Sequence, residues 1–152
     1  MTDKQKFSWQ DIETDCQSIA KKVKTPINLI IAITKGGLPI ATILANKYLN
    51  NPPIITLQLK EISLEKKANY QAKKVKLISP LNHYPIKNKK VLIVDDVADT
   101  GFTLKEVIKQ VKAHRPQSLT LATLHYKPRT VIKPDIFAQK IPNSTWIVYP
   151  WE

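Results

Sequence analysis

Residues 91–104 read VLIVDDVADTGFTL, and the fold turns on how that stretch is divided. Val91–Val94 form a short, wholly apolar run and read as a strand. From Thr103 onward, Leu104, Val107, Ile108 and Val111 recur at i, i+3, i+4 and i+7, which predicts a helix. Between them lie Asp95, Asp96 and Asp99, followed by Thr100, Gly101 and Thr103. In open α/β sheets ligands bind beyond the carboxyl ends of the strands, which is where this loop falls. Amide N–H groups at a helix start, with the positive end of the helix dipole, hold a phosphate. Gly101 permits close backbone approach, and the two threonines add hydroxyl donors. Asp95 and Asp96 can accept from sugar hydroxyls or reach a hydrated Mg²⁺. A plain strand-to-helix turn with Asp99 or Thr100 as N-cap explains one acidic residue, not three. A receiver domain pairs its aspartates after its first strand, and here the pair lies at 95 and 96. The chain has neither a Walker loop nor GxGxxG.

Outward from this stretch, strands and helices alternate. Ser8 is a candidate N-cap with Asp11 three residues on, and Trp9, Ile12, Cys16, Ile19, Ala20 and Val23 share one helical face. NLIIAIT (28–34) reads as a strand buried on both faces. KGG follows, then LPIATILANKYL, a helix with Pro39 in its first turn and a stripe of Ile40, Ile43, Leu44 and Tyr48. NNPP breaks the pattern before a strand at IITLQL (54–59), and SLTLATLHY (118–126) is a fourth strand. DIFAQKIP and TWIVYPWE close the chain as short extended pieces. Residues 60–90 hold nine lysines and two glutamates with poor periodicity. They read as a long mobile loop, with a strand at KKVKLIS. The pattern predicts an α/β fold with a parallel sheet and helices on both faces.

The chain has 152 residues, suited to a single domain over 1–152. It shows no membrane-span run, and no signal peptide is read at the N-terminus. One cysteine excludes an internal disulfide and fits a reducing cytoplasm. Net charge is +12, nearly all from lysine, since Arg115 and Arg129 are the only arginines. Nucleic acid is a weak expectation, because lysine-rich surfaces are often merely solvated and no RNA-binding motif accompanies them. His83, His114 and His125 show no metal spacing. Glycine is scarce: Gly36, Gly37 and Gly101 are three where average usage gives about ten.

Four apolar residues, two acidic residues and D-T-G-x-T resemble the phosphoribosyl-pyrophosphate (PRPP) signature of type I phosphoribosyltransferases. Phe102 stands where glycine or lysine is usual, and its side chain can point away while the amide still serves a phosphate. AITKGG resembles the family's pyrophosphate loop, with Lys35 in place of an arginine, a point charge rather than a bidentate fork. LHYKPRT resembles the segment whose lysine, here Lys127, reads a purine's exocyclic oxygen. IPNSTWIVYPWE is similar to the C-terminal piece of the xanthine-guanine branch, in which Trp146 stacks on the base and the Ile147 backbone meets its edge.

The resemblance implies the type I phosphoribosyltransferase fold: a mostly parallel central sheet flanked by helices, with a small base-binding hood from 127–152. It implies transfer of phosphoribosyl from PRPP to a 6-oxopurine, giving a nucleoside 5′-monophosphate and pyrophosphate, in a cytoplasmic homodimer or homotetramer. Asp95 and Asp96 would hold the ribose and, through water, Mg²⁺. Asp99, Thr100, Gly101, Phe102 and Thr103 would wrap the 5′-phosphate, and Asp99 would act as general base at purine N7. Thr34, Lys35, Gly36 and Gly37 would hold pyrophosphate, with a cis peptide at Lys35–Gly36. Lys127, Trp146 and Ile147 would bind the purine. Trp151 is expected to pack. The family's mobile loop carries a Ser-Tyr pair; LQLKEISLEKKANYQ has none, and Tyr70 is the candidate substitute. The alternative is a non-catalytic regulator of the same fold that binds PRPP or a nucleotide, and with it RNA.

Overall fold

The computed structural model describes residues 3–63 and 73–152. In chain order the elements are β1 (Lys4–Lys6), α1 (Trp9–Lys22), β2 (Leu29–Ile33), α2 (Gly37–Ile43), a π-helical turn (Leu44–Tyr48), β3 (Ile54–Leu57), β4 (Leu59–Ser63), β5 (Lys73–Leu77), β6 (Lys90–Ala98), α3 (Phe102–Ala113), β7 (Ser118–Tyr126), β8 (Ile136–Lys140) and β9 (Trp146–Val148). Five strands form one parallel sheet in the order β3-β2-β6-β7-β8. The chain leaves β2 toward β3 on one side and places β6 on the other. The switch point of the sheet therefore lies between β2 and β6, where the crevice for a ligand opens.

The apolar run of β2 is buried throughout because each face meets helices. Side chains alternate across a strand. Ile30 and Ala32 join Ile12, Cys16 and Ile19 of α1 and Ile40 of α2 in one core, whereas Leu29 and Ile31 join Leu104, Val107 and Val111 of α3 in the other. Ser8 caps α1 in a capping box with Asp11, as its spacing predicts. Trp9, assigned to the buried stripe, is instead 54% exposed, because it sits in the first turn, where it meets Trp151 rather than the core.

Cys16 is fully buried, and burial together with the nearby charges of Glu13 and Asp15 pushes its thiol up to about 12. Two results follow. Iodoacetamide at pH 8 leaves the native thiol unmodified and alkylates it in denaturant, as mass spectrometry would show. Because the folded thiol ionises later than the unfolded one, this group's contribution to stability is constant below about pH 9 and falls as pH rises toward 12.

Three features depart from the sequence reading. The described part of 60–90 carries the strand expected at KKVKLIS, as β5, and pairs it antiparallel with β4, Leu59 opposite Leu77 and Glu61 opposite Val75, a pairing the sequence reading did not include. The expected strand over 54–59 divides at Gln58, whose carbonyl is taken by the Ile78 amide, so β3 stays in the main sheet and β4 leaves it. Tyr70 lies outside the described residues. The C-terminal pieces also separate. β8 joins the main sheet beside β7, while β9 pairs with β1 in a parallel ribbon, Lys4 opposite Trp146. Among the described residues no helix is long and apolar enough to cross a membrane.

Candidate active site

Strand β6 runs four residues past the apolar stretch, because its pairing to β7 continues through Asp95–Thr123, Val97–His125 and Ala98–Tyr126. Asp95 and Asp96 are thus fixed on a strand and not carried on a loop, which corrects the boundary read from sequence. The two carboxylates lie close enough to interact with each other, and both border one cleft. Each accepts a hydrogen bond from the following amide: Asp96 N–H to Asp95 Oδ1 at 2.9 Å, and Val97 N–H to Asp96 Oδ1 at 2.7 Å. Burial pushes Asp95 well above the usual carboxylate range, and the charge of Asp96 adds to the effect. Burial also raises Asp96, against the lowering effect of the Val97 amide. A carboxylate pair whose ionisation is penalised in this way is a hard-oxygen donor set that a divalent cation relieves.

Across the switch point, β2 ends in the loop Thr34–Gly37. The Thr34 amide and hydroxyl both donate to the Leu57 carbonyl, at 2.9 and 3.1 Å, which ties the loop to β3. A non-proline cis peptide is present, but at Thr34–Lys35 and not at the expected Lys35–Gly36, since Gly36 already has helical angles (φ −60°, ψ −35°) as it enters α2. Gly36 lies against Asp96: a Cβ there would overlap the Asp96 carboxylate. Thr34, Lys35 and Gly36 therefore share a cleft of about 340 Å³ with Asp95, Asp96 and Thr103, closed on its third side by Leu59, Glu61 and Val75 of the β4–β5 pair. Gly37 is buried against the β6 backbone and does not face the cleft.

Beyond β6, Gly101 takes a left-handed conformation (φ +83°) as the residue before α3. Neither Asp99 nor Thr100 caps the helix, and no side chain hydrogen-bonds its first turn. The helix start keeps its N–H groups for an anion. The turn is braced from behind: the Val131 amide donates to the Thr100 carbonyl at 2.9 Å. Phe102 is 54% exposed, its ring turned to solvent as the departure from glycine requires.

A second cleft, of about 130 Å³, brings together Asp96, Asp99, Lys127, Trp146 and Ile147, with Tyr149 and Glu152 also on its wall. Residues up to 56 positions apart meet there, on β6, β9 and the segments that follow β6, β7 and β9. Lys127 is 5% exposed, so it is not a solvated surface lysine. Its Nζ reaches Asp99 Oδ2 at 3.5 Å, and its amide donates to the Ala98 carbonyl at 2.9 Å. Trp146 is 58% exposed and offers an open indole face, whereas Trp151 stacks on Tyr149 at 4.7 Å and packs as expected. Asp96 borders both clefts, so the two lie side by side.

Sequence reading missed four residues. Arg129 bonds Asp99 through Nε and Nη2 at 2.5 Å, so Asp99 is held between two cations. It stands two positions after Lys127 in the quoted KPR, and only the tertiary contact gives it weight. The others, Asp15, His125 and Tyr149, are buried together behind the second cleft. Asp15 left a readable trace, a carboxylate amid the α1 stripe between Ile12 and Ile19.

A family model for the phosphoribosyl transferase domain matches residues 5–152. A xanthine-guanine phosphoribosyltransferase of a Ruegeria species is 30% identical over 155 residues, covering 96% of this chain and 84% of that protein. The crystal structure of a purine phosphoribosyltransferase from Pyrococcus horikoshii superposes with a TM-score of 0.85 at 32% identity, covering 98% of this chain and 94% of the other. A Helicobacter pylori xanthine-guanine-hypoxanthine phosphoribosyltransferase, at 19% identity and a TM-score of 0.76 over 99% and 93% of the two chains, shares the fold.

Proposed function

The chain belongs to the phosphoribosyl transferase family, and on that premise we propose that it moves the phosphoribosyl group of PRPP onto N9 of a 6-oxopurine, releasing pyrophosphate, as a purine salvage enzyme. The observation that carries this reading is the pair of clefts that share Asp96, one built for phosphates and ribose, the other for a flat base.

In this reading the ribose hydroxyls rest on Asp95 and Asp96. The 5′-phosphate lies on the amides of Asp99–Thr103 at the start of α3, with the Thr100 and Thr103 hydroxyls beside it. Pyrophosphate lies along Thr34–Gly36, where Lys35 meets its charge. Asp95 and Asp96 fit Mg²⁺ as oxygen donors. Among the described residues no cluster of three or more metal-ligating side chains exists, which suits an ion that takes its remaining ligands from substrate oxygens and water. When bound, that ion supplies charge neutralisation for the leaving pyrophosphate. The sugar becomes oxocarbenium-like at the transition state, and the carboxylates beside it stabilise the positive charge.

The base enters the second cleft between the exposed face of Trp146 and Lys127. Lys127 donates to the purine 6-oxo group. An adenine amino group would present a donor to this donor, so adenine is a poor substrate. Asp99, released from Lys127 and Arg129, accepts the N7 proton as N9 attacks C1′ of the sugar.

The deciding assay is pyrophosphate release from PRPP and Mg²⁺ with hypoxanthine, guanine, xanthine and adenine in parallel. Turnover of at least one 6-oxopurine and little with adenine is expected. If no base turns over while PRPP still raises Tm, the transferase reading fails and a non-catalytic binder is left. Trp146→Ala raises KM for the base by about tenfold or more, the range for loss of one stacking face. It leaves Tm within about 1 °C, because an indole so exposed contributes little to the core.

A further inference from the structure

Behind the two clefts lies a chain of buried polar groups that the reaction above does not use. Gln139 Nε2 donates to both carboxylate oxygens of Asp15, at 2.9 and 3.1 Å. Asp15 Oδ2 lies 3.0 Å from His125 Nε2. His125 Nδ1 lies 2.8 Å from Tyr149 Oη, and Tyr149 donates to the main-chain carbonyl of Asp96 at 3.2 Å. His125 is fully buried, with Asp15 at 5% and Tyr149 at 3% exposure. Phe7 packs against the imidazole, its ring tilted by 32°, at 4.2 Å between ring centres. The chain spans four elements: α1, β8, β7 and the segment after β9, and it ends on the strand that carries the acidic pair.

The proton count gives it a direction. Tyr149 has one hydroxyl proton, and the Asp96 main-chain carbonyl beside it can only accept. That proton is spent on the Asp96 carbonyl, so Tyr149 Oη must accept from His125, and Nδ1 must carry a hydrogen. Nε2 and Asp15 Oδ2 then share one further proton between them, whichever atom holds it. Asp15 thus selects the ring form that donates to Tyr149, and Tyr149 is left free to pin Asp96. A buried hydrogen-bonded network of this kind fixes the orientation of what it touches.

Resting on the transferase reading, we propose that Asp15, His125 and Tyr149 are positioning residues: they form a relay that anchors the Asp96 peptide from behind, and so set the ribose-facing carboxylate. Tyr149 is the joint, since its hydroxyl holds Asp96 and its ring lines the base cleft.

The test compares the wild type with Tyr149→Phe, Asp15→Asn and Asp15→Ala, reading KM for PRPP, KM for the base, kcat and Tm. Tyr149→Phe removes one hydroxyl and keeps the ring. It raises KM for PRPP by about tenfold, the range for one buried hydrogen bond, with KM for the base changed by less than about twofold. Asp15→Asn keeps the relay, because its amide donates to Nε2 and leaves the hydrogen on Nδ1, so its KM for PRPP stays within about twofold of the wild type. Asp15→Ala loses the partner and matches Tyr149→Phe. If Tyr149→Phe lowers Tm but leaves KM for PRPP unchanged, the network is only structural and the proposal is overturned. An Asn variant as impaired as the Ala variant would show that the charge of Asp15 acts, not its hydrogen bond, and would also overturn it. Should Asp15→Ala fail to fold, Tyr149→Phe and Asp15→Asn still decide. A wild type without turnover or PRPP binding sinks the transferase reading, whereas an active wild type with an unaffected Tyr149→Phe sinks only the relay.

Discussion

Asp99→Asn lowers kcat with a 6-oxopurine by about 10²–10⁴-fold, the range for removing a general base, while PRPP still raises Tm as it does in the wild type. The geometry gives the reason. Asp99 sits where β6 has ended and α3 has not begun; in the proposed reading its backbone serves the phosphate end of the site, while its carboxylate lies on the wall of the second cleft beside Lys127. Asparagine keeps the size and the amide but cannot take the N7 proton. The contact to Arg129 separates two kinds of loss. If Asp99 only anchored Arg129 and Lys127, the asparagine variant would chiefly raise KM for the base. As a base it lowers kcat. Single-turnover pyrophosphate release with saturating hypoxanthine reads the difference, and an unchanged kcat would remove Asp99 from the chemistry.

Alanine at Gly37 and alanine at Gly36 should fail in opposite ways. At Gly37 the added Cβ meets the Val94 carbonyl oxygen, with the Val94 carbonyl carbon at 3.1 Å and Asp95 Cα at 3.3 Å. These are backbone atoms of the central strand β6, bonded on both sides, and they cannot move alone. Overpacking of this kind costs about 3 kcal/mol. The gain in helix propensity from glycine to alanine is only about 1 kcal/mol, so the clash wins. Tm falls by roughly 5–10 °C. At Gly36 the obstacle is the Asp96 side chain, which can swing aside. Stability is then largely kept, but the carboxylate leaves the cleft and PRPP affinity falls by about 100-fold or more, the order for removing one partner of a charged hydrogen bond. Thermal melts with and without PRPP and Mg²⁺ distinguish the two. A Gly36→Ala protein that binds PRPP normally would detach Asp96 from the ribose.

Much of this site was written locally. The VLIV run, the acidic pair, and the glycine and threonines before a helical period are short-range signals, and each has one physical reading. A buried parallel strand needs an unbroken apolar run, and a helix start that holds an anion needs small or hydroxyl residues and no cap. Scarcity of glycine marked its three positions, and all three lie where a Cβ would strike a neighbour. In the lysine-rich stretch the strand at KKVKLIS was legible, but β4, reading LKEIS, shows no clean alternation and was not separated from β3. The residues that β4 pairs with lie 10 to 18 positions away, so nothing within its own segment marks it as a separate strand. β1 escaped notice because three residues, KQK, carry no strand signal of their own and are extended only because β9 lies beside them.

The sequence by itself determined the parallel α/β architecture and the run of acidic, glycine and hydroxyl residues between a strand and a helix, because these follow from periodicity and from chemistry confined to a few neighbouring positions. Tertiary structure decided what depends on distance through space. It carried β6 past Asp95 and Asp96 by pairing them with β7, placed Arg129 on Asp99 across 30 positions, and joined Asp15 to His125 across 110. A lone aspartate in a helix or a histidine in a strand has no partner in its own segment. Only packing the layers removes the water that would otherwise satisfy it, and only then must each group find another.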